Sequence, residues 1–176
     1  MSRLISTTTM TVDAVTDVGG WYVSEGGHNS ASMEQFVGAA GMVLGRKTYE
    51  GLAGYWPEQT GVWADLLNPI AKFVASRTAR EPLEWNATLI EGEAVDGVAR
   101  LKGQLEGDLF LIGCGELARD LLAAGLVDEV RFWLHPTVQG DGARPFGREP
   151  LGLRLLDSRS FDSGVTLLRY EPLTTS

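Results

Sequence analysis

The chain is poor in the residues that cross-link a small protein or bind metals. Among its 176 residues there is one cysteine, Cys114, and there are two histidines, His28 and His135. A single cysteine excludes an intramolecular disulfide framework, and two histidines cannot form a clustered metal site without several carboxylates. We therefore expect no bound metal and a reducing, cytoplasmic setting.

Long apolar runs and an excess of basic residues are also missing. No apolar run approaches the length of about 18 residues that a membrane span needs, and the start, MSRLISTTTM, lacks the features of a signal peptide. We expect neither a membrane span nor a leader. Lys and Arg number 15 against 23 Asp and Glu, which gives a formal charge of −8. This balance argues against nucleic acid or anionic lipid as a partner, so any bound anion must be held by local geometry.

Two stretches share one pattern, in which a short apolar run meets a glycine turn and then opens a helix. They are AGMVLGRKTYE at residues 40–50 and DLFLIGCGELA at residues 108–118. Glycines let the main chain approach a phosphate closely, and the free amides at a helix start attract an anion. Two such turns in one small chain predict a dinucleotide site.

The alternation of strand-like and helix-like segments predicts an α/β fold with an antiparallel edge. Strands are predicted at residues 4–15, 42–44, 72–76, 88–90, 109–112 and 130–134, with a closing hairpin at 153–157 and 165–170. Helices are predicted at residues 47–52, 62–67, 95–104 and 116–124. A further helix, capped by Ser30 or Ser32, is predicted to continue to Ala40. The length suits a single domain over residues 1–176.

Four segments resemble the dihydrofolate reductase superfamily. They are MVLGRKTYE at residues 42–50, Ser76–Arg77, the run from LFLIGCGELA to GDGARPF at residues 109–146, and VTLLRYE at residues 165–171. Within the superfamily the chain is similar to the C-terminal reductase domain of the bifunctional riboflavin-biosynthesis deaminase–reductase and to its stand-alone relatives. The resemblance implies a three-layer fold with a mixed sheet of about eight strands. It also implies NADPH as the hydride donor, a small-molecule substrate and a homodimer.

The resemblance assigns the cofactor to three segments: Gly45, Arg46, Lys47 and Thr48; Ser76, Arg77 and Thr78; and Gly113, Cys114, Gly115, Glu116 and Leu117. The first turn would hold the pyrophosphate, with Arg46 as the key cation. The second segment would meet the adenosine 2′-phosphate, where the planar guanidinium of Arg77 selects NADPH over NADH. Cys114 departs from the family, which commonly has a second adjacent glycine there.

The resemblance also suggests catalytic and substrate-binding candidates. Folate-reducing relatives carry a carboxylate on the first helix, but Ser32 occupies the aligned position here, with Glu34 nearby as a catalytic candidate. Asp13 aligns with an acidic residue that follows the first strand in riboflavin-type relatives, and it is the leading candidate for a polar substrate contact. Three aromatic residues are candidates for lining the substrate pocket, against an ordinary role in packing. They are Trp21, Tyr49 and Trp56.

The sequence thus predicts an NADPH-dependent reductase of a small pyrimidine-like substrate, similar to 5-amino-6-(5-phosphoribosylamino)uracil reductase of riboflavin biosynthesis. A dihydrofolate reductase is one alternative, although the missing carboxylate argues against folate. A Rossmann-type dehydrogenase is a second, because GCGELA at residues 113–118 fits G-x-G-x-x-A with Glu129 as a candidate ribose acid. A non-catalytic nucleotide-binding dimer is a third.

Overall fold

The computed structural model of the chain describes residues 1–145, 147 and 149–173, and these form an eight-stranded sheet with helices on both faces. The strands are β1 (Leu4–Thr11), β2 (Gly41–Gly45), β3 (Lys72–Ala75), β4 (Ala87–Leu89), β5 (Leu109–Ile112), β6 (Glu129–His135), β7 (Leu153–Ser160) and β8 (Thr166–Pro172). The helices are α1 (Gly27–Glu34), α2 (Arg46–Ala53), α3 (Val62–Leu67), α4 (Ala94–Gln104) and α5 (Glu116–Ala123), with a 3₁₀ turn at Trp56–Glu58. The predicted α/β class is confirmed.

The strand order is β4-β3-β2-β5-β1-β6-β8-β7. The six strands from β4 to β6 pair in parallel, while β8 runs antiparallel to β6, and β7 antiparallel to β8. The predicted antiparallel edge is therefore correct. Leu44 of β2 is in register with Ile112 of β5, and Gly45 with Ala75 of β3. The carboxyl ends of β3, β2 and β5 consequently lie side by side at one edge of the sheet.

The sheet is covered by a separate apolar layer on each face. Because the apolar runs of β2 and β5 are buried on both sides, alternate residues serve different layers, as expected for parallel strands. Val43, Leu109 and Leu111 pack with Val98 of α4 and Leu121 of α5. On the other face a second cluster joins the sheet to α2, α3 and the turn that follows α1, and its buried members include Met42, Leu44, Phe110, Phe36, Tyr49 and Leu67. Of the residues described, none belongs to a helix long and apolar enough to cross a membrane.

Three predicted boundaries at and before the first helix were wrong. β1 ends at Thr11 and does not continue to Val15, because Ala14 has a positive φ of 65° and the chain turns back so that the Thr11 amide donates to the Val15 carbonyl. α1 begins at Gly27, before both predicted serine caps, and ends at Glu34. Phe36 lies beyond the helix and still packs inward, whereas Val37 is exposed. The apolar spacing over residues 33–40 therefore reflects packing of a turn and not a continued helix.

Candidate functional site

A groove of about 440 Å³ opens at the sheet edge where β2, β3 and β5 end. All three predicted cofactor segments line it, at residues 45–48, 76–78 and 113–117, with the exception of Cys114. A fourth segment that the sequence did not predict, at residues 90–94, adds Ile90, Gly92, Glu93 and Ala94. Residues that are far apart in the chain thus form one cleft, because strand order and parallel direction place their turns together.

The first glycine turn opens α2 with unpaired amides. Gly45 precedes the helix and supplies no side-chain cap, so the first amides of α2 are free to bind an anion. Arg46 lies on the first turn of α2, where its Nη1 donates to Glu50 at 3.0 Å. An exposed ion pair of this spacing contributes only about 0.3–0.5 kcal/mol. The Arg46 guanidinium can therefore exchange Glu50 for a phosphate at little cost.

The second glycine turn lies against the first. Gly113 has φ of 96°, and a Cβ atom there would be 2.6 Å from Thr48 Oγ1. Only glycine combines this backbone conformation with such a close approach. Gly115 precedes α5 without a side-chain cap, which leaves a second set of free amides, although the acidic Glu116 occupies that helix's first turn. Cys114 points elsewhere, since its Sγ donates to Thr16 Oγ1 at 3.4 Å.

The third segment is a tight turn that presents an unpaired cation. Ser76 Oγ accepts from the amides of Thr78 at 3.2 Å and Ala79 at 3.0 Å, which fixes the backbone after β3. Arg77 is exposed on this turn and forms no ion pair with any residue in the described part of the chain. The groove is therefore lined by three cations on the side of β2 and β3, while Glu93, Glu116 and Asp120 lie along α4 and α5. This asymmetry favours phosphates on the β2–β3 side.

Asp13 holds a neighbouring loop together. Its Oδ1 accepts from the Thr11 hydroxyl at 2.6 Å and the Gln139 amide at 3.0 Å, and its Oδ2 accepts from the Gly140 amide at 2.8 Å. These hydrogen bonds, that from Thr11 first, lower the pKa of Asp13 to about 2. The carboxylate is thus ionised, and its hydrogen bonds to the amides of Gln139 and Gly140 hold the loop at residues 137–142 in place. Its contact with a substrate stays a prediction.

The remaining sequence candidates are dispersed. Glu34 is exposed at the last position of α1. Tyr49 is 8 % exposed, and its hydroxyl donates to the Glu84 carbonyl at 3.2 Å and accepts from the Glu84 amide at 3.0 Å, so it belongs to the apolar layer and braces that loop. Trp21 is buried with its Nε1 donating to the Asp17 carbonyl. Trp56 is half-buried, with its ring centroid 6.4 Å from that of Trp63.

The two histidines form hydrogen bonds to the backbone of the loop that precedes α1. His135 Nδ1 accepts from the Val23 amide at 3.0 Å, and His28 Nε2 donates to the Val23 carbonyl at 2.9 Å. Ser163 Oγ bonds His28 Nδ1 at 2.8 Å, so this nitrogen accepts in the neutral tautomer. Burial, together with the neighbouring His28, lowers the pKa of His135 to about 4. The His135 ring is therefore neutral at physiological pH.

A polar network between α1 and the sheet was missed by the sequence reasoning. Thr7 Oγ1 donates to Gln35 Oε1 at 3.2 Å, and it accepts from Trp133 Nε1 at 3.2 Å. Arg131 Nη1 donates to the same Gln35 oxygen at 3.4 Å. The alternating threonines at positions 7, 9 and 11 could have predicted this network, because a central strand rarely places hydroxyls on one face without a polar partner there.

Glu129 does not serve as a ribose acid. It lies at the beginning of β6, in register with Ile5, whereas the Gly113 turn follows the end of β5. Its carboxylate is 2 % exposed and accepts from Arg131 Nε and Arg169 Nε, each at 2.7 Å. Burial alone would raise the pKa of Glu129, but the hydrogen bonds from Arg169 and Arg131 lower it overall. The Rossmann interpretation is wrong, because the sheet order and Glu129's contacts both differ from what it requires.

Comparison with known proteins gives one family and one curated relative. Residues 2–167 match the model of the RibD C-terminal domain family. The uncharacterised protein YyaP of Bacillus subtilis (strain 168) is 30% identical over 137 residues, which cover 73% of this chain and 72% of that protein. Together they account for nearly the whole chain.

Solved structures share the fold at low sequence identity. A putative riboflavin biosynthesis protein from Shewanella sp. PV-4 aligns over 98% of this chain and 99% of its own, with a TM-score of 0.76 and 21% identity. A pyrimidine reductase-like protein from Corynebacterium diphtheriae aligns over 99% and 93%, with a TM-score of 0.70 and 12% identity. The deaminase/reductase of Thermotoga maritima aligns over 98% of this chain but 57% of its own, with a TM-score of 0.70 and 13% identity. These structures confirm the predicted fold, and the family match over residues 2–167 confirms the predicted superfamily.

Proposed function

We propose that this chain, which belongs to the RibD C-terminal domain family, is an NADPH-dependent reductase of a small pyrimidine-like substrate. The observation that carries the proposal is the groove itself, in which two uncapped helix starts meet Arg77, an arginine with no ion pair among the described residues, at one sheet edge. A dinucleotide with a pyrophosphate and a separate 2′-phosphate needs this combination of amides and cations.

The groove residues fit NADPH on structural grounds. Amides at the starts of α2 and α5 would hold the pyrophosphate, with Arg46 and Lys47 as cations, and Gly113 keeps the contact between the turns free of a side chain. Arg77 and the hydroxyl of Thr78 would bind the 2′-phosphate. Ile90 and Ala94 are among the apolar residues that line the groove beside its charged residues.

Bound NADPH would supply a hydride to the carbon of a carbonyl or imine group, whose heteroatom then takes a proton. The chain's share of this chemistry is to orient the acceptor and to exclude water around it. The position aligned with the acid of folate-reducing relatives holds Ser32, which has no acidic proton to give. We infer that the proton comes from a water ordered by neighbouring hydroxyls.

Calorimetric titration with NADPH tests the cofactor. We expect micromolar or tighter affinity, and Arg46→Ala should weaken it by about 1–3 kcal/mol because a charged hydrogen bond is lost. Arg159→Ala on β7 is the matched control, since Arg159 lies over the Phe161 ring on the outer hairpin and away from the groove. No binding up to millimolar NADPH would refute the proposal.

Turnover distinguishes the reductase from its alternatives. NADPH consumption, followed by the nicotinamide absorbance, should be slow with dihydrofolate and faster with uracil-type acceptors. Brisk dihydrofolate reduction would favour the folate enzyme, and binding without turnover of any acceptor would favour a nucleotide-binding protein.

A homodimer is the remaining part of the proposal, together with a cytoplasmic setting. The family resemblance implies two copies, and the outer hairpin supports this, because Leu155 and Leu156 of β7 and Leu173 are about half exposed. Apolar side chains on an exposed edge strand favour contact with another chain. Sedimentation at micromolar concentration should give the mass of a dimer, and a monomer mass would contradict this part.

A further inference from the structure

Asp–Gly dipeptides occur twice in the chain, at residues 96–97 and 141–142. In such a dipeptide the backbone nitrogen of the glycine can attack the side-chain carboxyl carbon of the aspartate and close a succinimide ring. Glycine favours this step because it has no Cβ to obstruct the approach and because it reaches backbone conformations that other residues avoid. Local structure determines whether the nitrogen is free to attack, and the two dipeptides differ in this respect.

The first dipeptide is protected by a helix. Asp96 and Gly97 lie near the start of α4, where the Gly97 amide donates to the Glu93 carbonyl at 2.9 Å. Gly97 is buried, and a Cβ atom there would lie 2.1 Å from Ile90 Cγ2. The Gly97 nitrogen therefore cannot turn toward the Asp96 carboxyl group unless the start of α4 opens.

The second dipeptide lies in the loop between β6 and β7, and its glycine amide faces the aspartate. Asp141 is exposed, and the Gly142 amide donates to Asp141 Oδ1 at 3.0 Å. The nitrogen is thus already beside the carboxyl group that it would attack. Within residues 1–145, 147 and 149–173 the Asp141 carboxylate forms no other hydrogen bond or ion pair. Ring closure therefore breaks this one contact and no other among those residues.

Packing favours glycine at position 142. Gly142 has φ of 140°, and a Cβ atom there would lie 2.4 Å from Val15 Cγ1. A side chain that hindered the attack would therefore strain the backbone and collide with the segment that follows β1. The contact with Val15 thus maintains the residue type that makes ring closure easy.

Two carboxylates hold the loop on either side of this dipeptide. Asp13 Oδ2 accepts from the Gly140 amide, and Asp17 Oδ2 accepts from the Ala143 amide, each at 2.8 Å. The backbone between these two amides is therefore fixed at both ends. A rearrangement that lengthens this backbone must break one of the two hydrogen bonds.

We propose that Asp141–Gly142 is a site of spontaneous isoaspartate formation, and that the modification releases the loop from Asp13 or Asp17. The Gly142 nitrogen forms a bond to Asp141 Cγ, and its proton leaves with the hydroxyl of the protonated carboxyl group as water. A water molecule then adds to the ring carbonyl that was the Asp141 main-chain carbonyl. The bond from this carbon to the Gly142 nitrogen breaks, and the nitrogen takes back a proton.

The product has the same mass as the unmodified chain. Its backbone passes through Cβ and Cγ of Asp141 and is longer by one methylene group, while the former main-chain carbonyl carbon becomes a free carboxylate. Neither step needs a reactant other than water. The inference does not depend on the proposed cofactor or substrate.

Peptide mapping of the intact chain after weeks at physiological temperature and neutral pH tests the site. Trypsin gives peptide 132–148, in which Asp141 is the only aspartate and asparagine is absent, and peptide 81–100, which contains Asp96. Electron-transfer fragmentation identifies isoaspartate, and the unchanged mass distinguishes it from deamidation of Asn86. We expect at least about tenfold more isoaspartate at residue 141 than at residue 96, because the helical amide must first be released.

Asp141→Glu is the matched variant, because glutamate keeps the charge but would have to close a larger ring. Asp96→Glu makes the same change in α4. Asp141→Glu should remove most of the isoaspartate from the aged protein, whereas Asp96→Glu should leave the amount unchanged. Equal formation at the two dipeptides, or absence of isoaspartate from peptide 132–148, would overturn the inference.

Hydrogen exchange measured by NMR tests the release of the loop. In aged protein that has been enriched in the modified form, exchange at the Gly140 or the Ala143 amide should be at least about tenfold faster than in fresh protein, because a hydrogen bond to a carboxylate is lost. Aged Asp141→Glu is the control and should exchange as slowly as the fresh protein. Slow exchange at both amides in the modified form would overturn the proposed release.

Discussion

Arg46 and Arg77 line the same groove but differ in their partners. Arg46 is held by Glu50 on the first turn of α2, whereas Arg77 stands on the turn after β3 without an ion pair in the described part of the chain. A guanidinium that is free and exposed can take up a phosphate without breaking an existing contact. The two arginines are therefore expected to bind different phosphates of one cofactor.

Arg77→Ala should weaken NADPH binding far more than NADH binding, because only NADPH carries the 2′-phosphate that Arg77 would pair with. We expect a loss of about 1–3 kcal/mol for NADPH and little change for NADH. Arg46→Ala is the internal comparison, since loss of a pyrophosphate contact should affect both cofactors alike. Calorimetric titrations of both variants with both cofactors give the answer, and equal losses for Arg77→Ala would exclude a role in 2′-phosphate recognition.

Protonation of His135 would break a hydrogen bond to the loop before α1. Its Nδ1 accepts from the Val23 amide, and an imidazolium cannot accept a hydrogen bond. His28, Trp21, Tyr22 and the Val23 backbone surround the ring, and none of them supplies a carboxylate. Thr16 of the same loop contacts Cys114, so the loop reaches the second glycine turn.

Stability should fall as the pH drops from about 6.5 to about 4, because the pKa of His135 is about 4 in the fold and near 6.5 in the unfolded chain. The unfolded state binds the proton first, and the loss should reach about 3 kcal/mol. His135→Asn keeps an acceptor near the Nδ1 position and should remove most of this slope. Urea unfolding at several pH values measures it, and an identical slope in the variant would contradict the assignment.

At the level of single residues, the segments predicted to bind the cofactor line one groove, whereas the substrate candidates are dispersed, and the binding roles of both sets stay predictions. Gly45, Thr48 and Gly113 follow apolar strands, so local pattern alone places them at strand ends. The contacts of Asp13 could not be predicted from local pattern, because its partners at positions 139 and 140 are distant in sequence. The role of Tyr49 could not be predicted from the sequence either, because only the fold shows that its hydroxyl contacts residue 84.

Among the elements, those with strong local signals were predicted most closely. α3 at Val62–Leu67 and β5 at Leu109–Ile112 match their predicted bounds, and α4 and α5 differ from prediction by one residue. α1 differs because its start is stabilised by His28, whose partners Val23 and Ser163 lie outside the helix. Tertiary contacts of this kind override capping propensities, so serines inside the helix were mistaken for its start.

The two glycines of the second turn allow a matched comparison of backbone and groove. Gly113→Ala should lower stability by about 1–3 kcal/mol, because φ of 96° strains any other residue and the new Cβ would lie 2.6 Å from Thr48 Oγ1. NADPH affinity should fall as well, since Thr48 must move. Gly115→Ala is the control, because Gly115 has φ of −79° and nothing within 4 Å of its Cβ position. Thermal unfolding and NADPH titration of both variants are the measurements, and equal behaviour would contradict the close-contact argument.

For the molecule as a whole, the site depends on strand order more than on any motif. The three predicted cofactor segments follow β3, β2 and β5, which are neighbours in the sheet but are separated by up to 68 positions in the chain, from residue 45 to residue 113. Local periodicity cannot specify that order, and the family resemblance assigned the three segments to one cofactor without predicting the strand order. The order brings the two glycine turns into contact and so makes one groove from separate anion sites.

Glu129 joins the parallel part of the sheet to its antiparallel edge. Its carboxylate accepts from Arg131 on its own strand, from Arg169 of β8 and, at 3.4 Å, from Arg3 just before β1. Arg3 also pairs with Asp108, which precedes β5. One buried carboxylate thus links the segments of four strands, and three guanidinium groups compensate its burial.

Glu129→Gln should destabilise the protein by about 3 kcal/mol, near the low end for breaking a buried ion pair, because Arg3 and Arg169 are partly exposed and water can solvate them. The folded-state pKa of Glu129 is lowered, so its contribution is present above the ordinary value of 4.5 and is lost as the pH falls through the lower folded value. The variant should therefore unfold with less dependence on pH in that acidic range.

Asp157→Asn is the control, because that exposed carboxylate lies 4.0 Å from Arg169 and should change stability by less than about 0.5 kcal/mol. Urea unfolding at pH 7 compares the two, and equal midpoints for both variants would contradict a stabilising role for the Glu129 ion pairs.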